Sequence, residues 1–119
     1  MPRVALVVDD SMLIRHTIRR FLERRGFQVE SATNGREALD IVNRSLPSVV
    51  ITDLQMPVMS GQELISELKA RPGTAAIPIL VLAARRGALE VQPETSAHSV
   101  IYKDIDLEQQ LEMAIEALG

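Results

Sequence analysis

Asp9 and Asp10 stand side by side, Asp53 lies well along the chain and Lys103 further still, offering three carboxylates and one ammonium. Each follows a short apolar run: residues 4–8 before the acidic pair, 49–51 before Asp53 and 100–102 before Lys103. Carboxylates gathered in one place repel one another, and a cation makes such a cluster stable. An oxygen-only site with room for water suits magnesium better than zinc or copper. A divalent ion and an amine can share the charge of a phosphoryl group in transfer. Asp53, alone on its loop, is the natural nucleophile, and attack through it would form an acyl phosphate. Taken singly, each residue has a duller reading. Asp9-Asp10 could cap a strand-to-helix turn, Asp53 before Met56-Pro57 could be an ordinary loop acid, and Lys103 could be a solvated amine.

The elements that would position these groups follow from periodicity. Residues 4–8, 49–51, 79–82 and 100–102 are short and rich in β-branched side chains, as buried parallel strands are. Residues 27–32 alternate instead, Phe27, Val29 and Ser31 against Gln28, Glu30 and Ala32, which predicts a strand at a sheet edge. Helical stripes lie between the strands. Ile14, Ile18, Phe21 and Leu22 share a face, with Ser11 as N-cap and Gly26 as a stop. A second helix over about 36–44 is entered through Asn34-Gly35, and a third follows Ser60-Gly61 with Leu64, Ile65 and Leu68. The last carries Leu107, Leu111, Ala114, Ile115 and Leu118, with Asp106 and Gln109 patterned as a capping box. Strand and helix alternating five times imply an α/β fold, a five-stranded parallel sheet between two helical layers. Ligands of such sheets sit beyond the carboxyl ends of the strands, which is where the four charged residues fall.

Composition narrows the classes further. A chain of 119 residues fits one domain, residues 1–119, and 46% apolar residues suffice for a packed core. A formal charge of −3 with no basic stripe argues against direct nucleic-acid binding, and Arg19-Arg20, Arg24-Arg25 and Arg85-Arg86 read as solvated faces. There is no cysteine, which excludes disulfides and thiolate metal sites and suits a cytoplasmic location. The apolar runs are too short to span a bilayer, so no membrane association is expected. His16 and His98 are read as surface residues, and Leu54 and Met56 as loop packing.

Val7-Val8-Asp9-Asp10-Ser11, Asp53-Leu54-Gln55-Met56-Pro57 with Gly61, and Lys103 together resemble the signature of response-regulator receiver domains over essentially the whole chain. The resemblance implies a flavodoxin-like, doubly wound sheet of order 2-1-3-4-5, a topology for which the chemotaxis receiver is itself a standard example. It implies phosphorylation of Asp53, with Mg2+ held by Asp10, Asp53 and the Gln55 carbonyl. Asp9 would act largely through coordinated water, and Lys103 and the backbone of Leu54, Gln55 and Ala84 would meet the phosphoryl oxygens. The implied donor is a phosphohistidine on a sensor histidine kinase or phosphotransfer protein, in a two-component phosphorelay. The chain would then be no enzyme beyond its own phosphorylation and dephosphorylation. An aspartyl-phosphate phosphatase usually has a second aspartate two residues after the nucleophile, where this chain has Gln55. No glycine-rich phosphate loop follows the first strand, which makes a nucleotide-binding fold remote. A pseudo-receiver, binding a partner without phosphorylation, is the alternative.

Several positions depart from that pattern. The hydroxyl residue expected after the fourth strand is Ala83. A hydrogen bond to a charged group is worth roughly 1.5–3 kcal/mol, and about 1.4 kcal/mol is tenfold in an equilibrium. Its loss is expected to weaken the coupling of phosphate to the active conformation by one to two powers of ten. The aromatic switch position is Val100, and Tyr102, two residues on, is expected to face the other way. Asp104 replaces a cis-proline after the lysine, so either a trans bond aims the lysine differently or strain is held there, a non-proline cis bond costing roughly 2.5–4 kcal/mol. Gly87 and Pro93 predict a short or irregular helix between the fourth and fifth strands. That helix, the fifth strand and the last helix form the output face that the resemblance implies.

Overall fold

A computed structural model describes residues 3–83, 99–103 and 106–118. Its elements are β1 (Arg3–Val8), α1 (Met12–Glu23), β2 (Phe27–Ala32), α2 (Gly35–Arg44), β3 (Val49–Asp53), α3 (Gly61–Ala70), β4 (Ile79–Ala83), β5 (Ser99–Tyr102) and α4 (Leu107–Ala117). The five strands form one sheet in the order β2-β1-β3-β4-β5, and every neighbouring pair is parallel. This is the doubly wound, flavodoxin-like sandwich expected. Of the predicted irregular crossover, residues 85–99, only Ser99 is described, as the first residue of β5; the rest of it, His98 included, and the Lys103–Asp104 bond lie outside the described residues, as does Ala84.

Alternation along each strand builds two cores. Ala5, Val7, Val49, Ile51, Leu80, Leu82 and Ile101 point to one face and meet Ile18, Phe21 and Leu22 of α1 and Leu111 of α4. Leu6, Val8, Val50, Ile79 and Val81 point to the other and meet Ala38, Leu39 and Val42 of α2 and Leu64, Ile65 and Leu68 of α3. A strand buried on both faces has no room for polar alternation, which is why β1, β3 and β4 read as continuous apolar runs. β2 lies at the edge with Gln28 and Glu30 exposed, as its alternating sequence predicts.

Helix starts are set by side-chain caps. Ser11 accepts from the Ile14 N–H, and Asn34 from the Glu37 N–H. Ser60 and Glu63 form a reciprocal capping box at α3. Glu37 is also held below the usual carboxylate range by hydrogen bonds from the Thr33 backbone and hydroxyl. The capping box expected at Asp106 does not form. Its backbone is left-handed (φ 42°, ψ 51°) and its side chain makes no cap hydrogen bond. A side chain caps from an extended N-cap conformation, which Asp106 does not adopt. The C-terminal end of α1 and the first turns of α4 are joined by the ion pairs Arg24–Glu108 and Arg25–Glu112. No helix among the described residues is long and apolar enough to cross a membrane.

Candidate functional site

β1, β3 and β5 end at the same rim of the sheet, and their last residues deliver Asp9, Asp10, Asp53 and Lys103 together. One carboxylate oxygen from each aspartate lies within 4.8 Å of the others. The Lys103 ammonium sits 2.6 Å from Asp9 Oδ2 and 3.2 Å from Asp53 Oδ2. Asp9 is fully buried, Asp53 half-buried and Asp10 exposed, so the cluster opens to solvent on the Asp10 side.

The first carboxylate is fixed by its own turn. Asp9 Oδ1 accepts from the Ser11 N–H at 2.8 Å, and Arg15 Nη1 donates to the Asp9 carbonyl at 2.7 Å. Asp9 Oδ2 is buried without a well-aligned hydrogen bond among the described residues, although the ammonium is close. Burial pushes the Asp9 carboxyl above its ordinary value, against the lowering pull of Lys103 and the Ser11 N–H. Burial also pulls the Lys103 ammonium down, but the close contact and charge of Asp9 and the charge of Asp53 outweigh it and hold it above its ordinary value. Three carboxylates against one ammonium leave two negative charges, with one buried oxygen incompletely partnered. That donor set fits a hard divalent cation.

The second carboxylate is placed by close backbone approach. The Gly61 N–H donates to the Leu54 carbonyl at 2.9 Å, and a Cβ at Gly61 would lie 1.9 Å from the Asp53 carbonyl oxygen. Gly35 approaches the same loop, its N–H donating to the Met59 carbonyl at 2.9 Å. Asp53 Oδ1 accepts a long bond, 3.4 Å, from the Gln55 N–H. Leu54 is buried and Met56 packs against the same core, as loop packing predicts.

Ala83 ends β4, buried and without a hydroxyl. Val100 packs on the α2/α3 side of the sheet. The expectation that Tyr102 faces away from Val100 is corrected here. Residues two apart on a strand share a face, and Tyr102 pairs in register with Ala83 as Val100 does with Val81. The tyrosine therefore lies on the Val100 face, one pleat nearer the site. Sequence reasoning also passed over Arg15, whose partner is a main-chain oxygen and leaves no complementary residue type to notice.

A family model described as response regulator receiver domain matches residues 5–115. The chain belongs to the response-regulator receiver family. Response regulator MprA of Mycolicibacterium vanbaalenii is 41% identical over 90 residues, which cover 76% of this chain and 38% of that protein. The receiver domain thus spans well under half the length of this relative. Among solved structures, chemotaxis response regulator CheY4 of Vibrio cholerae superposes with a TM-score of 0.83 at 30% identity, covering 98% of both chains. The receiver domain of a signal transduction histidine kinase from Syntrophus aciditrophicus gives 0.84 at 28% identity, covering 98% of this chain and 89% of that one.

Proposed function

We propose that this receiver domain accepts a phosphoryl group on Asp53 from a phosphohistidine of a sensor histidine kinase or phosphotransfer protein. The observation that carries the reading is the meeting of Asp9, Asp10, Asp53 and Lys103 at one rim, with a surplus of negative charge and an open side. An Asp53 carboxylate oxygen attacks phosphorus, a P–O bond forms, and the P–N bond to the donor imidazole breaks. Asp10, Asp53 and the Gln55 carbonyl would hold Mg2+, with Asp9 contributing through water. When bound, the ion supplies charge neutralisation for the phosphoryl oxygens. Lys103 would share that charge, and the backbone N–H groups near Leu54, Gln55 and Ala84 would donate to the same oxygens. The chain acts on no separate substrate; its chemistry is its own phosphorylation and dephosphorylation.

The switch that reads this event is weakened. With Ala83 at the end of β4 and Val100 in β5, phosphate lacks the hydroxyl that would draw the output face toward it. The pseudo-receiver reading draws on that same alanine and on Asp104. Incubation with Mg2+ and acetyl phosphate, followed by intact mass measurement, separates the two. One phosphoryl increment in the native chain, absent from Asp53→Asn, is the expected result. No increment from either acetyl phosphate or a kinase donor would favour the pseudo-receiver.

A further inference from the structure

Among the described residues β5 is an edge strand, with β4 on one side and no strand on the other. Edge strands leave main-chain donors and acceptors that need partners. At Tyr102 one side chain meets both. Gln110 Oε1 accepts from the Tyr102 N–H at 2.9 Å, and Gln110 Nε2 donates to the Tyr102 carbonyl at 2.7 Å. A carboxamide carries an acceptor and donors side by side, so the first turns of α4 offer a single residue the hydrogen-bonding pattern of a sixth strand. Gln110 is half-buried beside Leu107 and Leu111, both part of the α1/α4 core, where an apolar residue would otherwise extend the stripe.

The peptide unit concerned is the one that leads into Lys103. Its carbonyl, from Tyr102, takes the Gln110 donor; its N–H, from Lys103, donates to the Ala83 carbonyl at 2.9 Å. Because a peptide is planar, holding both ends of one unit from opposite sides fixes the Lys103 N and Cα, the anchor from which its side chain leaves the backbone. That side chain must reach Asp9 and Asp53 at 2.6 and 3.2 Å.

Resting on the phosphoacceptor reading, we propose that Gln110 is a positioning residue: its carboxamide clamps the Tyr102–Lys103 peptide and so aims the Lys103 amine at Asp53. The clamp ties α4 to the site through one side chain, so movement of α4 along β5 re-aims the lysine. Misplacement of a reacting group by about 1 Å can cost a hundredfold in rate; for an amine loosened rather than removed, a loss of about tenfold is expected.

The test uses the whole chain and two variants. Gln110→Met removes donor and acceptor at similar length. Gln110→Glu keeps an acceptor for the Tyr102 N–H and loses the donor to its carbonyl. Two quantities are read: the rate of Asp53 phosphorylation by acetyl phosphate at saturating Mg2+, and Mg2+ affinity by calorimetry. Both variants are expected to phosphorylate about tenfold more slowly with Mg2+ affinity within about twofold of native, because neither Gln110 nor Lys103 is a ligand of the ion. A native rate in either folded variant overturns the proposal, as does a fall in Mg2+ affinity that matches the fall in rate. Amide hydrogen exchange gives a readout free of phosphorylation. Tyr102 is expected to be protected in the native chain, to lose protection in Gln110→Met, and to keep it in Gln110→Glu. An unprotected Tyr102 amide in the native chain overturns the proposal even if both variants fail to fold. A native chain that takes no phosphoryl group overturns the phosphoacceptor reading instead, while selective loss of Tyr102 protection in Gln110→Met still supports the clamp.

Discussion

At Asp9 the fold holds a carboxylate buried from bulk solvent, and the cost shows in its raised pKa. A group whose folded pKa lies above its unfolded value favours folding when protonated. Its favourable contribution is therefore present below about pH 3.8, the unfolded value, and is lost as pH rises through the raised folded value. Above that raised value the ionised side chain opposes folding. Asp9→Asn, keeping size while removing charge, is expected to raise the thermal midpoint at pH 7 in the absence of divalent ions, where Lys103 still has Asp53. Thermal denaturation followed by circular dichroism checks it; a lowered midpoint would mean the pairing with Lys103 outweighs the burial. Ala83 poses the converse problem, a missing polar group. Ala83→Thr supplies a hydroxyl at the end of β4, and a hydrogen bond to a charged phosphoryl group, roughly 1.5–3 kcal/mol, should strengthen its coupling to β5 by ten- to a hundredfold. NMR shifts of residues 99–103 on adding a phosphoryl mimic are expected to be larger in Ala83→Thr than in the native chain. Equal shifts would show that Ala83 is not what limits the switch.

Between β3 and α3 one loop makes opposite demands of two residues. Gly61 has no room for a Cβ, because the obstruction is the Asp53 carbonyl and not a side chain that could turn aside. Gly61→Ala is expected to cost about 3 kcal/mol in chemical denaturation, at the upper end for overpacking, and to displace Asp53. Val58 has the reverse fault. It is β-branched, 82% exposed, and held at φ 69°, a left-handed conformation that suits glycine. Strain of that kind costs roughly 1–3 kcal/mol, partly offset in a glycine variant by the roughly 0.5–1 kcal/mol entropy of a freer unfolded chain. Val58→Gly should stabilise by about 1 kcal/mol, read from the same denaturation curves; no gain would mean the loop relaxes the strain elsewhere. At this scale the strands and most helices were legible, because burial on two faces forces continuous apolar runs and helices carry their own stripes. Asp9, Asp53 and Lys103 were legible as charged residues at the C-terminal ends of those runs. Asp106 misled, since a capping pattern in letters does not reveal a left-handed backbone. Tyr102 was assigned to the wrong face against the strand's own alternation, which puts residues two apart on one side. Gln110 and Arg15 left no sign, because their partners are main-chain atoms that look the same in every residue.

Across the whole molecule the acidic rim would couple stability to any divalent ion bound there. Any ligand that binds the folded chain alone stabilises it by an amount set by its concentration over its Kd, about 2.7 kcal/mol at a hundred times Kd. Ligation needs ionised carboxylates, whereas burial favours the protonated form of Asp9. The two effects run in opposite directions with pH. As pH falls toward and through the raised pKa of Asp9, the chain without ions gains the contribution of that group and the chain with Mg2+ loses affinity, so their stabilities converge. Lys103, held above 10.5, keeps its contribution below that pH and loses it only on strong alkalinisation, so it does not distort the acid limb. Thermal midpoints with and without excess Mg2+ between pH 8 and pH 4 are therefore expected to differ most near neutrality and least at the acid end. In Asp9→Asn the difference should be smaller at pH 7 and flatter with pH, because the buried titrating group is gone. Asp53→Asn should lose most of it at every pH, because one of the three clustered carboxylates is removed. A Mg2+ increment that is unchanged in both variants would place the ion somewhere other than this rim.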